Sequence, residues 1–116
     1  MATKQPHICV CICTYKRPDL LKRALDAVCD QETAGLFTFS IVVVDNDSVE
    51  SGRSVATAVA KGSDIRLTYC IEPRQNIALA RNKAIENATG DFVALLDDDE
   101  YPIKEWLLTL FRARKE

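Results

Sequence analysis

Short continuous apolar runs alternate along the chain with segments whose apolar residues recur every three or four positions. His7 to Cys13, Phe39 to Val44, Ile65 to Ile71 and Phe92 to Leu96 read as strands, because uninterrupted apolar runs of this length suit strands buried on both faces. Pro18 opens a helical pattern in which Leu21, Ala24, Leu25 and Val28 share a stripe, since proline is well placed in a first helical turn. Ser51 to Lys61 gives a weaker helix that stops at Gly62. Asn76 begins a third, with Ile77, Ala80, Ala84, Ile85 and Ala88 on one face and Gly90 closing it. Pro102 is expected to open a last helix with Ile103, Trp106, Leu107, Leu110 and Phe111 as its stripe. The basic end Arg112, Arg114 and Lys115 suits that helix's dipole.

This alternation predicts a three-layer α/β/α domain over residues 1–116, with a parallel sheet between helices. Right-handed crossovers from a central first strand give the order 3-2-1-4, the Rossmann-like half-sheet of a doubly wound nucleotide-binding fold. Ligands bind such sheets outside the carboxyl ends of the strands, where the winding direction reverses. Thr14, Asp45 and Asp97 each follow a strand end on that edge, so three polar clusters far apart in sequence converge on one crevice.

Composition narrows the function by exclusion. A chain of 116 residues can bury a core but is short for a complete two-substrate enzyme. Its 15 basic and 17 acidic residues leave a net charge of -2, too balanced for a field that recruits nucleic acid or an anionic membrane. No apolar run approaches the roughly 20 residues of a membrane span, and the N-terminus lacks the basic-then-apolar order of a signal peptide. A cytoplasmic location is expected, or the inner face of a membrane through parts not present here. Of the five cysteines, Cys9, Cys11 and Cys13 alternate with Ile8, Val10 and Ile12. Their odd number and spacing match neither a disulfide framework nor a zinc site. With Cys29 and Cys70 they are expected to be small buried hydrophobes, and His7 to be structural or solvated.

The candidate chemistry lies in Asp97-Asp98-Asp99, directly after the fourth strand. Crowded carboxylates at a strand end suit a hard divalent cation, Mg²⁺ or Mn²⁺, that can bridge to phosphate. Taken alone, the triplet reads equally well as an acidic loop before a helix. The first strand is followed by no G-x-G-x-x-G, the bulky Thr14-Tyr15-Lys16-Arg17-Pro18 standing there instead, and the chain has no G-x-x-x-x-G-K-[ST]. Dehydrogenase and P-loop chemistry are thereby excluded. An acidic site with nearby Arg and Lys remains, suited to a metal-bound diphosphate.

Four segments, in order, carry a family resemblance: residues 10–18 (VCICTYKRP), 42–48 (VVVDNDS), 76–82 (NIALARN) and 90–99 (GDFVALLDDD). Together they resemble the successive signatures of family 2 inverting glycosyltransferases, which have the GT-A fold. Glu72-Pro73-Arg74-Gln75-Asn76 and Asp99-Glu100-Tyr101-Pro102 are similar to bacterial glucosyltransferases that build exopolysaccharide repeat units on a lipid carrier. The resemblance implies a nucleotide-diphosphate sugar, UDP-glucose above all, a glycan or lipid-linked acceptor, and Mn²⁺ or Mg²⁺. It implies that Thr14, Tyr15 and Arg17, with Asp45, border the nucleoside, Asp45 reading the base, and that Asp47 is a second acidic position in the same loop. Arg81 would face the base or the diphosphate. Asp97 and Asp98 would hold ribose or sugar hydroxyls, and Asp99, with Asp97, the metal. Three bland alternatives stay open: a turn-capping hydroxyl for Thr14, an Asx turn for Asp47 and a solvated helix position for Arg81.

Members of that family continue past the aspartates into an acceptor-binding half, which supplies the general base. Here the base is expected beyond Glu116, Glu100 being on the donor side, so the chain corresponds to the donor half, inactive alone. Two other readings are a non-catalytic nucleotide-sugar-binding or assembly module and a metal-dependent nucleotidyltransferase, although the Gly-rich basic loop of the latter is missing. A receiver-type signalling domain would want its acidic pair after the first strand. Finally, an uncovered fourth-strand edge and last helix would promote self-association.

Overall fold

The computed structural model describes residues 5–114. Its elements run β1 (His7–Thr14), α1 (Pro18–Cys29), β2 (Thr38–Asp45), α2 (Arg53–Gly62), β3 (Leu67–Ile71), α3 (Ile77–Asn87), β4 (Phe92–Asp97) and α4 (Trp106–Ala113). The sheet has the order β3-β2-β1-β4, and every pairing is parallel. That is the expected 3-2-1-4 layout. In the register of the two central pairings, Thr14 lies beside Asp45 and Cys13 beside Asp97. The strand ends after β1, β2 and β4 therefore form one edge.

The two sheet faces are packed differently. On one, Ile8, Val10, Ile12, Ile41 and Val43 meet Leu21 and Leu25 of α1 and Leu107 and Phe111 of α4, with Val55 and Val59 of α2 at the margin. On the other, Cys9, Cys11, Val42 and Val44 meet Ala80 and Ala84 of α3. A right-handed crossover explains the division. The chain winds outward from β1 to β3 with its helices on one face, then returns past β1 to β4 with α3 on the other.

Several local expectations are corrected. In α3 only Ala80 and Ala84 are buried, while Ile77 and Ile85 are exposed. Small side chains let the helix sit close on β1 and β2. Ile77 and Ile85 lie one turn to either side of Arg81, which pairs with Asp97 at the end of β4, and among the described residues they stay open. This helix ends at Asn87 rather than running to Gly90. Gly90 is instead a docking point: at φ +107°, a Cβ there would come 2.8 Å from the His7 carbonyl oxygen.

Helix α4 begins at Trp106, four residues after Pro102. The intervening segment is pinned by the loop after α1. Gln31 Nε2 donates to the Ile103 carbonyl, its Oε1 accepts from Leu107 N, and Glu32 N donates to the Lys104 carbonyl. Ile103 is consequently 71% exposed, and Leu108 takes a buried position that the proposed stripe omitted. Arg112 lies in the last turn; Lys115 is outside the described residues. β3 starts at Leu67, two residues later than its apolar run suggested.

Cys9 and Cys11 are buried, but Cys13, Cys29 and Cys70 are only half-buried. Cys13 stands at the open carboxyl end of β1, Cys29 ends α1, and Cys70 sits on edge strand β3, packed only at the margin of the cluster beneath α3. Burial still pushes the Cys13 thiol up to about 11, so it stays protonated near neutral pH. His7 is structural: its ring nitrogens lie 2.6 Å from Thr38 Oγ1 and 2.8 Å from Ser40 Oγ.

Candidate functional site

The turn after β1 leaves the sheet through Lys16 at φ +53°, a left-handed backbone that non-glycine residues adopt at a cost. It returns Arg17 to the sheet edge. Arg17 Nε and Nη2 donate to the Asp98 carboxylate at 3.2 and 2.5 Å, and Thr14 Oγ1 donates to Asp98 Oδ2 at 2.9 Å. Asp98 is 1% exposed and Thr14 is also buried. Both side chains are thus engaged within the protein. Tyr15 is half-buried, with the Lys16 ammonium 5.4 Å from its ring.

After β2, Asp45 is fully buried. Its Oδ1 accepts from Asp47 N at 3.1 Å, and its Oδ2 from Gly52 N at 2.8 Å and from the Tyr69 hydroxyl at 2.6 Å. A Cβ at residue 52 would fall 3.0 Å from Asp45 Oδ2 and 3.1 Å from Leu21 Cδ2, which is why glycine stands there. Burial and Asp45 together push the Tyr69 phenol up, so it remains a donor. Asn46 joins two loops, its amide donating to the Glu72 and Arg74 carbonyls and its oxygen accepting from Asn76 N. Asn76 in turn caps α3, accepting from Ala78 N and Leu79 N.

Asp47 Oδ1 accepts from Val49 N at 3.1 Å, the Asx-turn geometry, while its Oδ2 and the Ser51 hydroxyl are buried without a hydrogen-bond partner among the described residues. The Ser51 hydroxyl is near enough to act on the carboxylate without meeting full hydrogen-bond geometry. With the Val49 and Ser51 amides and the Lys16 charge, it holds the Asp47 carboxyl below its ordinary value. Arg74 does the same for buried Glu72, gripping it through Nε and Nη2, each at 3.1 Å.

The loop after β4 is open. Asp97 and Asp99 are exposed on either side of buried Asp98. Asp97 makes a loose ion pair with Arg81 Nη2 at 3.7 Å. Glu100 caps the turn, its Oε1 accepting from Asp97 N and its own N donating to the Asp97 carbonyl. Among the described residues Asp99 has no hydrogen bond or ion pair. No group of three or more His, Cys, Asp or Glu side chains among them is arranged to hold a metal ion. Two open carboxylates nonetheless fit a hard cation whose shell is completed by phosphate oxygens and water, the usual arrangement for Mg²⁺.

The proposed site residues therefore fall into three connected groups: Thr14 and Arg17 with Asp98, Arg81 with Asp97, and Asp45 with Asp47. Asp45 stands beside Thr14, and Asp47 follows in the same loop. Among the described residues, Tyr15 and Asp99 make no side-chain hydrogen bond or ion pair with the others. Sequence reasoning assigned no role to Asn46, Gly52, Tyr69 or the Glu72–Arg74 pair. Asn46 stood inside a quoted motif and could have been found there. Nothing in the sequence places the Tyr69 hydroxyl on Asp45.

Fold and edge define a nucleotide-binding type of α/β domain with an acidic, phosphate-compatible rim. Residues 9–116 match glycosyl transferase family 2, and the chain belongs to that family. It is 36% identical to the succinoglycan biosynthesis protein ExoM of Rhizobium meliloti, over 99% of this chain and 37% of ExoM. It is 29% identical to the GalNAc(5)-diNAcBac-PP-undecaprenol beta-1,3-glucosyltransferase of Campylobacter jejuni, over 96% of this chain and 35% of that enzyme. Among solved structures, the mannosyltransferase PcManGT of Pyrobaculum calidifontis, in complex with GDP-Man and Mn²⁺, superposes with a TM-score of 0.76 at 29% identity. It is matched over 90% of this chain and 31% of its own. The chain thus spans little more than a third of the length of the curated relatives it matches.

Proposed function

We propose that this chain is the donor-binding part of a GT-A glycosyltransferase that moves a hexose from a nucleotide-diphosphate sugar, UDP-glucose in the specific reading, to a glycan or lipid-linked acceptor with inversion. The observation that carries the reading is the pair of exposed carboxylates, Asp97 and Asp99, beside Arg81 at the switch point of a family 2 fold. The glucosyltransferase and exopolysaccharide relatives support the sugar and acceptor classes, and the Mn²⁺ complex of PcManGT supports a divalent ion.

In this reading Asp97 and Asp99 hold Mn²⁺ or Mg²⁺, which offsets charge on the departing diphosphate. Arg81, tied only loosely to Asp97, turns to the diphosphate. Tyr15 and the turn around it border the nucleoside, and the loop shaped by Asp45 and Asp47 lines the base. Reading of the base falls to the exposed parts of that loop, since both Asp45 oxygens accept hydrogen bonds within the protein. We assign no general base within the chain, because Glu100 is bound to the Asp97 amide. The alternative reading is a non-catalytic nucleotide-sugar-binding module. The work belongs at the cytoplasmic face of a membrane if the acceptor is lipid-linked; no helix among the described residues is long and apolar enough to cross one.

Calorimetric titration of UDP and of GDP, each with and without Mn²⁺, tests the reading. Mn²⁺-dependent binding of UDP in preference to GDP is expected, and binding of neither would overturn it. Release of glucose from UDP-glucose separates enzyme from binder.

A further inference from the structure

Three consecutive aspartates have three different environments. The β1–β4 ladder ends at Cys13 and Asp97, and beyond it the backbone only turns back through Glu100 onto Asp97, with no pairing to β1. What continues the connection is the side chain of Asp98, which turns inward and is gripped by donors from the end of β1 and the turn after it. Arg17 contributes a two-pronged contact from 81 positions away in sequence, and Thr14 a hydroxyl from 84. All of the hydrogen bonds recorded at Asp98 come from these two residues. A carboxylate so enclosed cannot reach a ligand without leaving its guanidinium, and an abandoned buried charge is costly. A forked guanidinium on a carboxylate also fixes direction as well as distance.

Resting on the function proposed above, we propose that Asp98 is a positioning residue and not a ligand contact. The Arg17–Asp98–Thr14 clamp extends the β1–β4 pairing by one residue and so holds Asp97 and Asp99 splayed outward on either side. The clamp ties the nucleoside-bordering turn to the metal-binding loop. If that turn moves, the metal carboxylates move with it. Lys16, held at φ +53°, is the bend that lets Arg17 return to Asp98.

The test uses the whole chain and four proteins: wild type, Asp98→Asn, Arg17→Gln and the double variant. Asp98→Asn keeps shape and removes charge. Arg17→Gln, at a half-exposed position, serves as the second variant should the first fail to fold. UDP affinity is measured by calorimetry with and without Mn²⁺, and amide hydrogen exchange is followed over residues 97–100. Loss of a residue that orients metal ligands typically costs about 10- to 100-fold in metal-dependent affinity. Each single variant is therefore expected to lose about tenfold or more of the Mn²⁺-dependent UDP affinity, and a larger factor of it than of the metal-free affinity. The double variant should be no weaker than the weaker single, because both act through one contact. Exchange at residues 97–100 should quicken in all three.

Loss of binding in Asp98→Asn with Arg17→Gln near wild type would make Asp98 a direct ligand and overturn the proposal. Effects that multiply in the double variant, or singles within about twofold of wild type, would overturn it as well. If the wild-type chain binds no UDP, the proposed function falls. Exchange at residues 97–100 then decides the clamp by itself, quickened exchange supporting it and unchanged exchange refuting it.

Discussion

Two acidic loops leave the same sheet edge, and the one at the end of β2 buries both Asp45 and Asp47, whereas the one at the end of β4 buries Asp98 and leaves Asp97 and Asp99 open. Asp45 is enclosed and receives three hydrogen bonds from its own loop, from Gly52 and from Tyr69. Asp97 and Asp99 stand open, with a single loose ion pair between them and the rest of the protein. The difference follows from position in the sheet. β2 is central, flanked by β1 and β3, so its end is surrounded by donors. β4 is an edge strand, and its end is bordered by β1 alone. Acidic residues at strand ends thus divide between framing the crevice and facing what enters it.

The largest break of this contrast is expected at the buried member. Asp45→Ala leaves the Gly52 amide, the Asp47 amide and the Tyr69 hydroxyl without an acceptor in a closed space, and should lower the unfolding free energy by about 3 kcal/mol in urea denaturation. A loss below about 1 kcal/mol would mean that water replaces the carboxylate freely and that this loop is as open as the other.

A smaller effect sharpens the contrast through pH. Glu72 lies below its ordinary value of 4.5 because of Arg74, and Asp47 lies below 3.8 because of Ser51 and neighbouring amides. A carboxylate whose folded value is depressed adds stability above its unfolded value, and that stability is lost as pH falls through the folded one. The contribution of these two carboxylates to stability should therefore be flat above about pH 5 and decline below about 4.5. Glu72→Gln should make that acid slope shallower without altering the neutral plateau's pH dependence. Identical acid slopes in variant and wild type would refute the role given to the Arg74 pair.

The smallest effect concerns the open side of β4. Phe92 and Val93 of β4 and Leu110 of α4 are exposed around a groove of about 200 Å³ lined also by Ile8 and Leu107, and Leu95 is exposed further along the same edge strand. An unpaired strand edge with apolar neighbours invites a partner. The expected self-association should appear in light scattering at micromolar concentration and weaken in Leu95→Glu. A wild-type monomer whose Trp106 fluorescence is unchanged on dilution would show that this edge needs no partner.

Strand and helix order, parallel pairing and the convergence of three strand ends on one edge were legible because they follow from apolar periodicity and crossover handedness, which are local and general rules. Pro18 and the Leu21–Val28 stripe gave α1 closely. The start of α4 was not legible, since it depends on Gln31, more than 70 positions away, pinning residues that proline alone would have allowed to be helical. The same limit applied to the site. The aspartates could be found from their density, but which of them face inward could not. That is decided by Arg17 and Thr14 for Asp98, and by Gly52 and Tyr69 for Asp45, contacts that only the folded chain brings about.

Asp99→Asn, examined with two readouts on one sample, tests the division of the carboxylates most directly. The substitution alters an exposed side chain without a partner among the described residues, so urea unfolding should change by no more than about 0.5 kcal/mol. Mn²⁺-dependent UDP binding in calorimetry should fall by at least about tenfold, as expected for loss of a metal ligand. Unchanged binding, or a fold weakened as much as by Asp45→Ala, would contradict the account.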